Sequence, residues 1–269
     1  MKTSVSIVLY YSDEKEILSI ISTLEQVRQI TVIYLIDNGG SEFASKLTSN
    51  CEKTLKYVKA PGNIGYGSGH NIAIKEAEYI QNDLHIVMNS DIGFVPRELE
   101  SFLNQLIKVN DFLIAGPNII NPADANLSYF KLSPSLLQMI QRLISRKKYQ
   151  YNLQIENIEA DIFHCPYLSG AFIVFNMKQI HRLGYFDQRF FMYPEDIDIS
   201  LRASLLEGAI GCKNFNVKHD HRAGSKNSMK LLTTHMYNMM KFFWKWNVQE
   251  KLNIQRINEK GGKPYDYDN

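Results

Sequence analysis

Between Pro61 and Asn71 the chain reads PGNIGYGSGHN, and the next apolar run, LHIVM, ends in Asn89-Ser90-Asp91. Glycines at this spacing let the backbone turn sharply and approach a partner closely, because glycine enters φ > 0 without a Cβ penalty. Ala73, Ala77 and Ile80 then share one helical face, so a helix N-terminus with its free N–H groups starts beside the glycines. The run His85 to Met88 reads as a buried strand that delivers Asn89, Ser90 and Asp91 at its carboxyl end. In open α/β sheets that edge is where ligands bind.

Two better-known glycine motifs are excluded. The dinucleotide fingerprint needs a third glycine three residues after the second; from Gly67 that position is His70, and from Gly69 it is Ile72. A P-loop would end in Gly-Lys-Ser/Thr, which is absent. The glycines alone are also compatible with a plain strand-to-helix turn, and Asp91 downstream is what favours a site.

The rest of the chain repeats the same rhythm. Val5 to Tyr11 reads as a buried strand, and Asp13 with Glu16 forms a capping-box-like start to a helix with Ile17, Ile21, Leu24 and Val27 on its apolar face. Strands Thr31 to Ile36, Leu55 to Lys59, His85 to Met88 and Phe112 to Ala115 alternate with helices, including Glu98 to Val109. Such alternation predicts right-handed crossovers, a mostly parallel central sheet flanked by helices, and carboxylates such as Asp37 and Asp91 at strand ends. After Pro122 the alternation fades: a helix is expected over Pro134 to Ser145, and no strand over 123–164. The pattern resumes with the strand-like YLSGAFIVF at 167–175, a helix Lys178 to Leu183 stopped by Gly184, and a strand near Ala209 to Val217. A long added helix, Ser228 to Asn247, follows, and the tail GGKPYDYDN reads as disordered.

With 269 residues, 45% hydrophobic and 22% charged, the chain is long enough for one sizeable globular domain. A net charge of +2 gives no basic excess of the kind a nucleic-acid binder carries. Cys51, Cys165 and Cys212 are scattered and odd in number, which points away from a disulfide framework or structural zinc and fits a reducing cytoplasm. The first apolar run meets Asp13 to Glu16 too soon for a signal peptide, and no stretch reaches the roughly 18 apolar residues of a membrane span.

A second acidic constellation lies in YPEDIDISLRA. Pro194 suits a first helical turn, and Glu195, Asp196 and Asp198 could simply complement the helix dipole. For Asp196 the preceding Phe190, Phe191, Met192 and Tyr193 make a poorly solvated approach in which a carboxylate can serve as a base. The later helix MKLLTTHMYNMMKFFWKW mixes aromatics with Lys230, Lys241 and Lys245. It reads as core packing with snorkelling lysines, or as an interfacial helix in peripheral contact with a membrane; packing is the simpler reading. The cluster Arg142, Arg146, Lys147 and Lys148 poses the same choice, a solvated face being the simpler one.

Taken in order, SIVLYYSD, YLIDNGG, NIGYGSGHNIAI, VMNSD and SGAFIVF with FDQRFFMYPEDIDISLR resemble the inverting family 2 glycosyltransferases of GT-A fold, in their bacterial rhamnosyltransferase-like branch. The resemblance runs from Val5 to about Trp246 and implies one GT-A domain over 1–247. Its nucleotide-binding half would be about 1–122 and its acceptor half about 123–247, with a C-terminal extension at 248–269 whose end is disordered. It implies that Asn89-Ser90-Asp91 stands where the family has D-x-D, with Asp91 holding a divalent cation, Mg²⁺ or Mn²⁺; Asn89 departs from the strict motif. His219 would join the metal or diphosphate, with His221 as the alternative. Tyr10, Ser12 and Asp37 would contact base and ribose, and Asn63, Gly65, Tyr66 and Asn71 would shape the nucleotide pocket. Asp196 would be the general base, with Glu195 beside it.

The activity implied is transfer of a sugar, L-rhamnose from dTDP-rhamnose, to a glycan or lipid-linked acceptor in surface polysaccharide synthesis, at the inner face of the cell membrane or in the cytoplasm. A UDP-hexose donor is the alternative. A nucleotidyltransferase would call for a basic Gly-rich loop after the first strand, which SIVLYYSD lacks. A silent sugar-nucleotide or glycan-binding module would not need both Asp91 and Asp196.

Overall fold

The computed structural model describes residues 1–47, 53–121, 124–128, 130–135, 138, 153, 157–219, 229–246 and 250–265. Strands β1 (Thr3–Leu9), β2 (Ile30–Asp37), β3 (Thr54–Lys59) and β4 (Leu84–Met88) pair in parallel in the order β3-β2-β1-β4. Helix α1 (Glu14–Glu25) joins β1 to β2 and α2 (Tyr66–Tyr79) joins β3 to β4; the short β5 (Ile92–Gly93) and helix α3 (Pro96–Leu106) follow β4. Asp13 caps α1 as its sequence promises: the carboxylate accepts the Glu16 N–H at 3.0 Å. The strand alternation sorts the two faces. Val5, Ile7, Leu9, Ile86 and Met88 pack with Ile17, Ile21 and Leu24 of α1 and Leu99, Phe102 and Leu103 of α3. Ile74 and Ala77 of α2 pack with Val87 on the opposite face.

The second half is mixed rather than parallel. Strand β6 (Ile114–Asn121) begins close to the expected place and runs further. Two strands, β7 (Asp124–Ser128) and β8 (Ile162–His164), lie where none is expected from sequence, because short edge pieces carry too few residues to show a period. Of YLSGAFIVF only the last residues are strand, β9 (Phe172–Asn176), which lies antiparallel between β4 and β6. A 3₁₀ turn and the one-turn helix α4 (Ile180–Leu183) end at Gly184, and α5 (Glu195–Leu205) leads to β10 (Ala209–His219), which is parallel to β6. Ile199 and Ala203 of α5 pack with Ile74 and Ala77 of α2, so α2 and α5 share one face of the sheet.

The C-terminal region is two helices, α6 (Met229–Lys245) and α7 (Glu250–Lys260). Ile254 and Ile257 of α7 pack with Phe190, Leu201 and Phe242, and within the tail the Tyr265 N–H donates to Ile162 O at 3.1 Å. Only its last residues, 266–269, lie outside the described part, as do Cys51, the Arg142 to Lys148 cluster and nearly all of the helix expected over Pro134 to Ser145. Cys165 and Cys212 are buried free thiols, each pushed up to about 12 by that burial.

A polar chain crosses the α2 face of the sheet. Ser4 Oγ lies 2.7 Å from His85 Nδ1, and Ser6 Oγ lies 2.8 Å from His85 Nε2 and 2.7 Å from His70 Nδ1. Burial lowers His85 to about 3, and His70 falls well below its ordinary value through burial and the neighbouring His85. Both stay neutral in the fold, whereas the unfolded chain takes up their protons below about pH 6.5. Stability is therefore full above that pH and drops as pH falls, by about 1.4 kcal/mol per pH unit down to about 3 for His85, with His70 acting in the same direction. Thermal melting between neutral and mildly acidic buffers should show this slope, and His85→Gln should flatten it.

Candidate functional site

The carboxyl ends of β2, β1 and β4 lie side by side, as the parallel register requires. At the first two, Asn38 N–H donates to Leu9 O at 2.8 Å and Tyr11 N–H to Gly39 O at 2.9 Å, which locks the corner. Tyr10 and Tyr11 stand exposed, their rings edge to face at 4.8 Å. The Tyr10 N–H reaches Ser12 Oγ at 3.2 Å. Asp37 is only 1% exposed, and both of its oxygens are engaged, Oδ1 by the Gly39 N–H and Oδ2 by the Tyr57 hydroxyl, each at 2.8 Å. Its carboxylate thus builds the turn that presents the neighbouring backbone.

The glycine turn has a tertiary reason. Gly65 sits at φ +92°, and a Cβ there would lie 2.2 Å from the Phe191 carbonyl oxygen. Tyr66 N–H donates to that same oxygen at 3.0 Å, and Asn38 Nδ2 donates to Gly65 O at 3.0 Å. Asn63 accepts the Gly65 N–H at 3.3 Å. Asn71 is turned inward: its amide donates to Phe186 O at 2.8 Å and accepts the Phe186 N–H at 3.0 Å. It shapes the site by tying α2 to the segment that precedes α5.

At the end of β4, Ser90 donates to Glu16 of α1, and the Asn89 N–H donates to Ala171 O at 3.0 Å. Strand β5 pairs antiparallel with the end of β10, setting His219 opposite Ile92. That pairing brings His219 Nε2 to 3.2 Å from Asp91 Oδ1 and 3.4 Å from Asn89 Nδ2. Among the described residues no third His, Cys, Asp or Glu joins them. His221 lies outside the described residues.

Tyr66 links this cluster to the second set of acids. Its hydroxyl is 2.9 Å from Asn89 Oδ1 and 2.6 Å from Gly170 O. Burial, with Glu195, Asp196 and Asp91 nearby, holds its pKa well above the ordinary phenol value, so it remains a donor. Gly170 N–H in turn donates to Asp196 Oδ2 at 3.2 Å, beside the Tyr167 hydroxyl at 2.7 Å, and Oδ1 accepts the Ile197 N–H at 2.8 Å. Tyr167 escaped the sequence reading. It lies just ahead of the quoted Ser169-Gly170, and only the folding of α5 against that loop reveals its partner.

The other two acids of EDID have different surroundings. Asp198 is fully buried; Oδ2 pairs with Arg202 at 3.0 Å, and Oδ1 with Lys245 at 2.6 Å and Trp246 Nε1 at 2.9 Å. It is the anchor of α6 and not a spare base. Lys245 also bonds Asp187 at 2.8 Å, so it belongs to an internal ion cluster. Glu195 is 5% exposed, and its Oε2 has no hydrogen-bond partner. Burial, then the charge of Asp196, raises its pKa to about 8.

No family model matches the chain. Two curated relatives are similar to it: N-acetylglucosaminyl-diphospho-decaprenol L-rhamnosyltransferase of Mycobacterium tuberculosis, 23% identical over 193 residues, covers 67% of this chain and 62% of its own length. The low-salt glycan biosynthesis hexosyltransferase Agl10 of Haloferax volcanii, 24% identical over 203 residues, covers 73% of this chain and 60% of its own. The chain thus spans under two thirds of either relative. Among solved structures, GalNAc-T7 with UDP, GalNAc and Mn²⁺ superimposes with a TM-score of 0.67 at 13% identity, over 98% of this chain and 52% of that one. The mannosyltransferase PcManGT from Pyrobaculum calidifontis, with GDP-Man and Mn²⁺, gives 0.61 at 10% identity, over 96% and 68%. The fold is that of the GT-A glycosyltransferases, and in sequence the chain is similar to their rhamnosyltransferase-like branch.

The Glu195 environment carries a pH signature. Its folded pKa lies above the unfolded value, so the unfolded state alone releases the proton as pH rises from about 4.5 to 8, and stability falls across that window. Glu195→Gln removes the penalty. Its melting temperature should exceed that of the native protein by more at about pH 8.5 than at about pH 5.

Proposed function

We propose that the chain is a metal-dependent inverting glycosyltransferase, with the glycine turn and the ends of β1, β2 and β4 binding a nucleotide sugar and the segment around α5 receiving the acceptor. The observation that carries this reading is the unbroken path from Asp91, His219 and Asn89 through Tyr66 and Gly170 to Asp196. It supports reading Asp91 and His219 as the cation ligands and Asp196 as the proton acceptor of one site.

The donor set fits a divalent cation. Asp91 offers a hard oxygen suited to Mg²⁺ or Mn²⁺, and His219, 3.2 Å away, offers a nitrogen that favours Mn²⁺ over Mg²⁺, with further positions left for ligand oxygens and water. Such an ion, when bound, would neutralise charge that develops on a departing nucleoside diphosphate. Asp196 would take the proton from the acceptor hydroxyl. Three N–H and O–H donors occupy three of its roughly four lone-pair directions, leaving one on Oδ1 to receive it. One attack from the face opposite the leaving group inverts the anomeric carbon and needs no second nucleophile.

The donor assigned is dTDP-L-rhamnose, supported by the named activity of the mycobacterial relative, and the acceptor a glycan or lipid-linked glycan. A UDP-hexose donor is the second reading, favoured by the hexosyltransferase name of the archaeal relative. A hydrolysis and thermal-shift screen of nucleotide sugars with Mn²⁺, with Mg²⁺ and with chelator decides between them. Stabilisation by none of these compounds would overturn the glycosyltransferase reading.

Asp91→Ala should abolish metal-dependent nucleotide binding, since Asn89 offers no anionic ligand in its place; unchanged calorimetric affinity in the presence of Mn²⁺ would remove Asp91 from the cation site. Asp196→Asn should bind donor normally and lose roughly 10²-fold or more in turnover, because the amide keeps the shape but takes no proton. Transfer within about threefold of the native rate would mean that another group is the base.

A further inference from the structure

Tyr66 has one phenol proton and two oxygens facing it. Gly170 O lies 2.6 Å from its hydroxyl and Asn89 Oδ1 lies 2.9 Å from it. A backbone carbonyl only accepts, so at 2.6 Å the proton lies on the line to Gly170 O. The phenol oxygen, with no second proton to give, then faces an amide oxygen that also only accepts.

A matching conflict stands at the other end of the same amide. Asn89 Nδ2 lies 3.4 Å from His219 Nε2, which is itself 3.2 Å from Asp91 Oδ1. Facing that carboxylate, Nε2 carries a proton; facing a cation, it gives its lone pair to the metal. In neither state has it a lone pair left for an amide N–H. Exchanging the two amide ends removes both conflicts: Nδ2 then donates to the Tyr66 oxygen, and Oδ1 turns to His219 and Asp91. The two ends have nearly the same shape, so their hydrogen-bond partners alone decide between them. The Asn89 main chain is already pinned, its N–H donating to Ala171 O at 3.0 Å.

We infer that Tyr66 is a positioning residue: by giving its proton to Gly170 it obliges Asn89 to present its amide oxygen, beside Asp91 and His219, to the cation. The inference rests on the cation site of the proposed function and adds a neutral oxygen ligand, of a kind that Mg²⁺ and Mn²⁺ accept, at the position where the sequence departs from D-x-D. The ring is held for this task. It meets His70 edge to face at 4.5 Å, and a Cβ at Gly170 would lie 3.5 Å from Tyr66 Cε1 and 3.3 Å from the Asp196 Cβ. The same hydroxyl thus also steadies the loop whose Gly170 N–H donates to Asp196 Oδ2.

Tyr66→Phe keeps the ring and removes only the hydroxyl. Without metal, in protein labelled with ¹⁵N at asparagine, one Asn89 side-chain amide proton should exchange slowly with water, and Tyr66→Phe should speed that exchange roughly tenfold, the loss of one hydrogen bond. With dTDP or UDP present, Mn²⁺ uptake, followed by the loss of the free-ion electron paramagnetic resonance signal, should weaken roughly tenfold in Tyr66→Phe and in Asn89→Leu alike. In the Asn89→Leu background Tyr66→Phe should weaken it no further, because the hydroxyl acts on the cation only through the amide. A role in folding alone would leave Mn²⁺ affinity of the folded variants unchanged, and circular dichroism shows that they are folded. An Asn89 amide proton whose exchange ignores Tyr66→Phe would overturn the inference. So would native Mn²⁺ affinity in Tyr66→Phe, or an equal further loss in the Asn89→Leu background. These outcomes leave the proposed function standing, whereas a native protein that takes up no Mn²⁺ overturns both.

Discussion

The close approach of the Gly65–Tyr66 backbone to Phe191 is the constraint on which the site depends. A Cβ at Gly65 would lie 2.2 Å from the Phe191 carbonyl oxygen, and Tyr66 N–H bonds to that oxygen at 3.0 Å. Because Tyr66 opens α2, this one contact fixes where its hydroxyl reaches, and the hydroxyl spans Asn89 and Gly170. The bonds of Asn71 to Phe186 and of Asn38 to Gly65 hold the same junction from either side. An alanine at 65 would meet rigid backbone rather than the end of a flexible side chain, and would also need a left-handed φ. The glycine turn is thus a joint between α2 and the segment that precedes α5.

The segment before α5 is held from its other side by charge. Lys245 lies between Asp187 and Asp198, at 2.8 and 2.6 Å, and Arg202 closes on Asp198 at 3.0 Å. Burial opposes ionisation of Asp187, but the bonds from Arg189 and Lys245 outweigh it and keep the carboxyl well below the usual carboxylate range. Such a cluster adds little net stability compared with an apolar core of the same volume, yet removing one partner leaves an uncompensated buried charge. Its contribution is position: α6 cannot shift without exposing that imbalance. In the same run of four residues, Glu195 has an unpartnered oxygen and a raised pKa, while Asp196 keeps three donors. Three neighbouring acids therefore have three environments, set by which side of the first turn of α5 each occupies.

Much of this was legible in the chain itself. The spacing of Ile17, Ile21 and Leu24 behind Asp13 specified α1 and its cap, and the alternation of apolar runs with helical periods specified parallel strands joined by helices in the first half of the sheet, though not their order β3-β2-β1-β4. Strand ends followed from that, and with them the places of Asp37 and Asp91. These features rest on residues within a turn or a strand of one another, and local periodicity encodes them directly. What only the tertiary structure decided were pairings distant in sequence: β9 inserted antiparallel between β4 and β6, β5 joined to β10 so that His219 meets Asp91, and Tyr167 bonded to Asp196. The same holds for Asp198 and Lys245, which read as a helix-dipole acid and a surface lysine until α6 folds back on α5. A local pattern states which face of an element is apolar, but which partner covers that face depends on contacts between residues far apart in the chain, and no short-range period records those.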